Sequence, residues 1–179
     1  TYTIEDECGN TETVDHVINI NDTDAPIING TITASNINGC TAADAPAAES
    51  SVADIEANLG ITIDDNCTTD ADLTVTSNDV SAGTCPIVIT RTYTIEDECG
   101  NTETVDHIIN INDTQEPTII GTIAASNITG CSVADAPAAE TTVAGIEGLG
   151  VTINDNCTAD ANLNVSSNDV FAGTCPIVL

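Results

Sequence analysis

Residues 1–23 read TYTIEDECGNTETVDHVININDT, and residues 92–114 read the same with a single change, Val17 to Ile108. Such close self-similarity at a domain-sized period marks a tandem array and sets the register for every local motif. Cys40 recurs as Cys131, Cys67 as Cys157 and Cys85 as Cys175, the spacing tightening where Ile55-Glu56-Ala57-Asn58-Leu59-Gly60 becomes Ile146-Glu147-Gly148-Leu149-Gly150. The punctuation Asn-Asp-Thr-x-x-Pro, at Asn21 to Pro26 and again at Asn112 to Pro117, sets the boundaries. Residues 1–23 then read as the C-terminal strands of a preceding repeat, 24–114 as a complete repeat, and 115–179 as the N-terminal part of the next, its last strands missing. The chain is therefore expected to be a window on a longer repeat protein. A repeat of about 90 residues can bury one sandwich-sized core, and profits from covalent staples.

Charge narrows the partners. The chain has 29 Asp and Glu against one basic residue, Arg91, for a net charge of −28. Nucleic acid and anionic lipid need Lys and Arg to replace counterions, so neither is an expected partner. The absence of Lys excludes Lys-dependent chemistry, intramolecular Lys–Asn cross-links included. Two uses of the acid remain, a well-solvated surface or carboxylate clusters for a hard cation. Eight Cys with no CxxC pair suggest disulfides, and with them an extracellular, cell-surface location. No stretch is long and apolar enough to span a membrane.

The periodicities predict an all-β repeat with one short helix. Ile27 to Ala34 reads as the first strand, Ile61 to Ile63 and Leu73 to Thr76 as short strands, and a long strand follows with Ile87, Ile89, Tyr93 and Ile95 on one face. Arg91 shares that face by parity and is expected to stack on Tyr93 or pair with a carboxylate. Val105, His107, Ile109 and Ile111 line one face of the last strand, where His107, like His16, reads as a packed strand residue rather than a ligand. Ser51 caps a helix carrying Val52, Ile55 and Leu59 on one face, which Gly60 stops; its copy contains Gly145 and Gly148 and is expected to be weaker. This pattern predicts tandem immunoglobulin-like β-sandwiches.

The motifs Asp65-Asn66-Cys67, Gly83-Thr84-Cys85-Pro86, Thr90-Arg91-Thr92-Tyr93-Thr94, Asp97-Glu98-Cys99-Gly100-Asn101 and Ile111-Asn112-Asp113-Thr114-x-x-Pro117, with the Val52-Ala53-x-Ile55-Glu56 helix, cover essentially the whole chain. Together they resemble the HYR-like, immunoglobulin-like repeats of giant secreted surface adhesins from gliding and marine Bacteroidota. The resemblance implies a secreted, cell-attached array serving adhesion, gliding or filament formation; the depletion of Lys is a departure from it.

In a sandwich of that type, the loop after the second strand, the loop before the last strand and the incoming linker share one pole. Asp22, Asp24, Asp64, Asp65, Glu96 and Asp97 are therefore expected to gather there as ligands for Ca²⁺, which takes six to eight hard oxygens. The linker is also similar to the calcium-bridged Asp-rich linkers of cadherins. Asp113, Glu116 and Asp155 would serve the next junction, and Asp70 with Asp72 is a further acidic pair. The competing reading is that Asp, Asn and Gly merely form turns on a wet surface. The same topology predicts the pairs Cys67–Cys99, Cys40–Cys85 and Cys131–Cys175, leaving Cys8 and Cys157 to find partners outside these residues.

No Ser-His-Asp or Cys-His arrangement appears, and every chemically interesting group recurs in each copy, so no catalytic residue and no enzymatic activity is expected. The expected function is a structural segment of an extracellular adhesin stalk or filament, rigidified by disulfides and interdomain calcium. Its partners would be adjacent repeats and other copies in a filament. The alternative is a repeat that itself binds a surface glycan, receptor or substratum, for which two Tyr and one Phe supply few aromatic platforms. A flat array such as Thr90, Thr92 and Thr94 also suggests an ice- or mineral-binding face.

Overall fold

The computed structural model describes residues 1–174, 177 and 178. The chain is mainly β, with strands β1 (Tyr2–Glu5), β2 (Thr11–Val14), β3 (Ile27–Asn29), β4 (Ser35–Asn38), β5 (Thr62–Asp64), β6 (Thr74–Ala82), β7 (Ile87–Glu96), β8 (Thr102–Asn112), β9 (Thr118–Ile120) and β10 (Thr152–Asn154). Its helices are short, α1 (Val52–Leu59) and α2 (Val143–Glu147), with single 3₁₀ turns at Ala42–Asp44, Val133–Asp135 and Asp160–Asn162. Two compact units form, one from Thr1–Ser35, Pro46–Ser81 and Ile89–Ile109, the other from Asn36–Ala45, Ala82–Val88 and Asn110–Leu179.

The first unit holds most of a four-stranded sheet, in the order β4-β8-β7-β6, and the antiparallel pair β3-β5. Along β7 the period-2 pattern buries Ile89, Arg91, Tyr93 and Ile95, and along β8 it buries His107 and Ile109. Tyr93 and Ile95 meet Ile61 and Ile63 beside β5 and Val52 and Ile55 of α1 in one core cluster. Helix α1 begins where Ser51 Oγ accepts from the Asp54 N–H at 3.2 Å, and ends at Gly60 with φ 73°.

The segment expected as one strand from Ile27 to Ala34 divides. Gly30 adopts φ 110° and lies so close to Ile61 that an added Cβ would sit 3.1 Å from its Cγ2, so pairing with β5 ends at Asn29. The chain re-forms a strand only at Ser35, in the other sheet. Arg91 pairs with Asp79 on the neighbouring strand, Nε to Oδ1 at 2.8 Å and Nη2 to Oδ2 at 2.8 Å. His107 is 3 % exposed, with Nε2 2.8 Å from Ser35 Oγ and Nδ1 without a partner.

Residues 1–14 form the β1-β2 hairpin, in the register Tyr2↔Val14 and Ile4↔Glu12. Its apolar side chains are exposed, Tyr2, Ile4 and Val14 at 59 %, 66 % and 59 %.

In the second unit β9 pairs with β10, and Val143, Val151 and Ile153 make a small core. Its helix α2 has five residues where α1 has eight, as Gly145 and Gly148 in place of better helix formers would dictate. The second unit also revises the disulfide expectations. Cys40 is bonded to Cys157, with Cα atoms 4.9 Å apart, and not to Cys85. Cys157 therefore has its partner inside the chain. The cause lies at the turn after β4: Asp44 Oδ2 accepts from the Cys40 N–H at 2.8 Å, and the Gly39 N–H donates to Asn112 O at 3.2 Å. That holds Cys40 beside the linker and against Asn156, whose carbonyl lies 3.6 Å from its Sγ, so a cysteine of the following repeat reaches it. Cys85 instead donates from its Sγ to Asn112 Oδ1 at 3.4 Å. Among the described residues Cys67 and Cys99 are exposed thiols rather than a pair, and Cys8 and Cys85 are likewise unbonded. The Cys131–Cys175 expectation lies outside the described residues.

Candidate metal centre

Three of the acidic residues expected at the linker pole converge in the first unit. One carboxylate oxygen each from Asp22, Asp65 and Asp97 lies within 4.8 Å of the others. They come from three segments: the linker before β3, the loop after β5 and the turn between β7 and β8.

Each is aimed by a local turn in which the side chain captures nearby backbone N–H groups. Asp22 Oδ1 accepts from the Asp24 N–H at 3.1 Å. Asp65 Oδ1 accepts from the N–H groups of Cys67 and Thr68 at 2.9 and 2.7 Å. Asp97 Oδ1 accepts from those of Cys99 and Asn101, both at 2.8 Å, and its Oδ2 from Asn101 Nδ2 at 2.7 Å. One oxygen of each carboxylate is thereby fixed to its own turn. The others, Asp22 Oδ2 and Asp65 Oδ2, are buried without any hydrogen-bond partner.

Unpartnered buried carboxylate oxygens are costly, and a hard cation is the ligand that satisfies several at once. Asp97 stays ionised in this setting. Burial pushes its pKa up, but hydrogen bonds from the Asn101 amide and from the N–H groups of Asn101, Cys99 and Gly100 outweigh it and hold the carboxyl below its ordinary value. The local negative field also reaches Cys67, whose thiol pKa is raised by partial desolvation and by the charges of Asp22 and Asp65. Three carboxylates fit Ca²⁺ in donor chemistry and would leave its remaining positions to carbonyls and water.

The other expected ligands are placed differently. Asp24 is exposed, with Oδ2 3.5 Å from Asn66 Nδ2. Asp64 is exposed on β5, and Glu96 is exposed at the end of β7. In the second unit, Asp113 Oδ1 accepts from the Gln115 N–H at 3.0 Å, as Asp22 does from Asp24, and from Asn156 Nδ2 at 3.3 Å. Asp155 Oδ1 accepts from the N–H groups of Cys157 and Thr158 at 3.0 and 2.6 Å, as Asp65 does, and these bonds hold its pKa down. Glu116 is exposed, and among the described residues these three do not converge with a further ligand.

Two supports escaped the sequence reading. Asn101 braces Asp97 and also donates from Nδ2 to the Asp22 carbonyl at 3.4 Å, and Thr68 is 5 % exposed, its Oγ1 accepting from the Glu98 N–H at 3.3 Å. The signal was present: Asp-x-Cys-Thr and Asp-x-Cys-Gly-Asn are self-closing turns, and both recur in the repeat.

No family model matches the chain, and no curated protein or solved structure matches it at a significant level.

Proposed function

We propose that this chain is a structural segment of an extracellular adhesin stalk or filament, built from tandem immunoglobulin-like sandwiches and stiffened at their junctions by calcium and disulfides. The observation that carries the reading is the convergence of Asp22, Asp65 and Asp97, with two buried carboxylate oxygens lacking any partner. Asp22 lies in the inter-repeat linker, so a cation held there ties the linker to the body of the repeat. The Cys40–Cys157 bridge supports the same reading, since it joins one sequence repeat to the next. The resemblance to surface adhesin repeats supplies the cell-surface setting.

The test is thermal unfolding of the chain in 10 mM Ca²⁺ and in chelator. Extracellular calcium modules bind with Kd of roughly 10⁻⁴ to 10⁻³ M, so saturation at that concentration stabilises by about 1.4–2.7 kcal/mol. Asp22→Asn and Asp65→Asn keep the Oδ1 acceptor and remove the charge, and each is expected to abolish the difference. An unchanged Tm with and without Ca²⁺ would refute the calcium reading.

A further inference from the structure

Strand β6 ends the four-stranded sheet: it pairs with β7 on one side, and among the described residues its other edge meets no strand. It is nine residues long and exposed from Thr76 to Ala82, with Val80 at 62 %. All four strands of the sheet lie between Ser35 and Asn112, inside the complete repeat, so the sheet's own strand order leaves this edge open. The opposite edge, β4, has only four residues.

Native sheets commonly guard a long edge with charge or Pro. β6 has no Pro, and its one charged residue, Asp79, is paired with the Arg91 guanidinium through two hydrogen bonds of 2.8 Å. From Leu73 to Thr90 no other residue is charged, in a chain of net charge −28. A second copy can therefore approach along β6 with little of the repulsion it meets elsewhere.

Charge also sets the direction of pairing. Asp70 and Asp72 precede β6, whereas Gly83 to Thr90 follow it without a charge. A parallel pair would bring the leading acids of both copies together. An antiparallel pair sets the acidic end of each strand beside the neutral end of the other. The faces then restrict the register. Asp79 reaches Arg91 on the buried face of β7, so Val75, Ser77 and Ser81 share its face while Thr74, Thr76, Asn78 and Val80 take the other. Pairing all nine residues with faces matched centres on Asn78. It sets Asn78 opposite Asn78, Thr76 opposite Val80, and Ser77 opposite Asp79, a hydroxyl facing a carboxylate. A register centred on Asp79 would oppose two carboxylates.

We propose that the free edge of β6 is an interaction surface for β6 of a second copy, paired antiparallel about a two-fold axis at Asn78, so that two four-stranded sheets run on as one of eight. Backbone hydrogen bonds supply the affinity, as in other strand additions. The contact is isologous and closes as a dimer. A strand pair about 30 Å long is small beside the roughly 1,200–2,000 Å² of a stable interface, so two single copies associate weakly. Repeats strung on one chain multiply the contact.

The chain, its thiols alkylated to prevent cross-linking, is followed by sedimentation equilibrium from micromolar to millimolar concentration, at low salt and at about 0.5 M salt. A monomer–dimer equilibrium is expected, strengthened by salt because salt screens the −28 charge on each copy. Asn78→Asp and Asn78→Lys each oppose like charges across the axis and should each weaken the dimer about fivefold. An equimolar mixture of the two should restore it to at least its original strength. Asn78 is exposed, so both variants should keep the near-ultraviolet spectrum of the buried Tyr93. A chain still monomeric at millimolar concentration and high salt would overturn the proposal, leaving the edge to an extended segment of another protein. An Asn78→Asp dimer as strong as the original, or a mixture no tighter than either variant alone, would overturn it equally.

Discussion

Removing Asp79 should cost more than removing Arg91, although the two make one ion pair. The Arg91 side chain is 6 % exposed and that of Asp79 40 % exposed, with Nε and Oδ1 2.8 Å apart. At an effective dielectric of 20 the attraction at that distance is about 6 kcal/mol gross, falling to about 1.5 in bulk water. Asp79 is partly in water, so the net value lies well below the first figure. The two truncations differ in what they strand. Asp79→Ala leaves a buried guanidinium unpaired; breaking a fully buried pair costs about 3–5 kcal/mol, and access of water to this site reduces that to about 2–3. Arg91→Met keeps the buried stem, and Asp79 turns to solvent, for a cost of about 1 kcal/mol or less. Tyr2 and Tyr93 are the chain's two tyrosines and it has no Trp, so a Tyr2→Phe background makes Tyr93 fluorescence a probe of this core in urea unfolding. With a urea slope of about 2 kcal/mol per M, the midpoint should fall by about 1–1.5 M for Asp79→Ala and by under about 0.5 M for Arg91→Met. Equal losses, or a larger loss for Arg91→Met, would refute the argument.

Acidification should destabilise the first unit in two stages. His107 is held neutral, its pKa lowered by burial and by the Arg91 charge, so its contribution is complete above its unfolded value of about 6.5 and is lost as the pH falls through the lower folded value. Asp79 follows below about 3.9, because its pKa is lowered by the hydrogen bonds from Arg91; His107→Gln should remove the first stage alone, and an unchanged profile between pH 7 and 5 would contradict this. At the start of α1, Ser51→Ala removes the acceptor for the Asp54 N–H and should cost about 1 kcal/mol, whereas Ser51→Asp should recover most of it in the same urea titration.

What could be read from the sequence was whatever depends on short periods. The alternation Ile89, Arg91, Tyr93, Ile95 placed a lone cation inside a strand and called for a carboxylate, although which one depended on how β6 pairs with β7. The acidic pole was legible because Asp22, Asp65 and Asp97 sit in turns whose geometry is local. Which of the neighbouring acids would join them was not, since strand pairing decides that Asp64 lies on β5 and Glu96 at the end of β7. The break at Gly30 was hidden for a related reason: glycine tolerates both a strand and φ 110°, and the close approach of Ile61 is visible only in three dimensions. The disulfide partner of Cys40 was the deepest miss. Pole assignment within one repeat brings Cys40 and Cys85 together, and no spacing rule indicates that the next repeat brings Cys157 nearer.

The Cys40–Cys157 bridge has a mechanical meaning. The bonded residues are separated by 117 positions, and tension drawn along the chain passes from one to the other through a single covalent link. At about 3.4 Å per extended residue, roughly 400 Å of contour is withheld from stretching as long as the link stays oxidised. Strands β5 to β10 and both helices lie within that enclosed span, so their contour cannot be drawn out while the link holds. Reduction would turn the same segment into a reserve of slack, so the redox state of one cysteine pair sets how far the chain can yield under force.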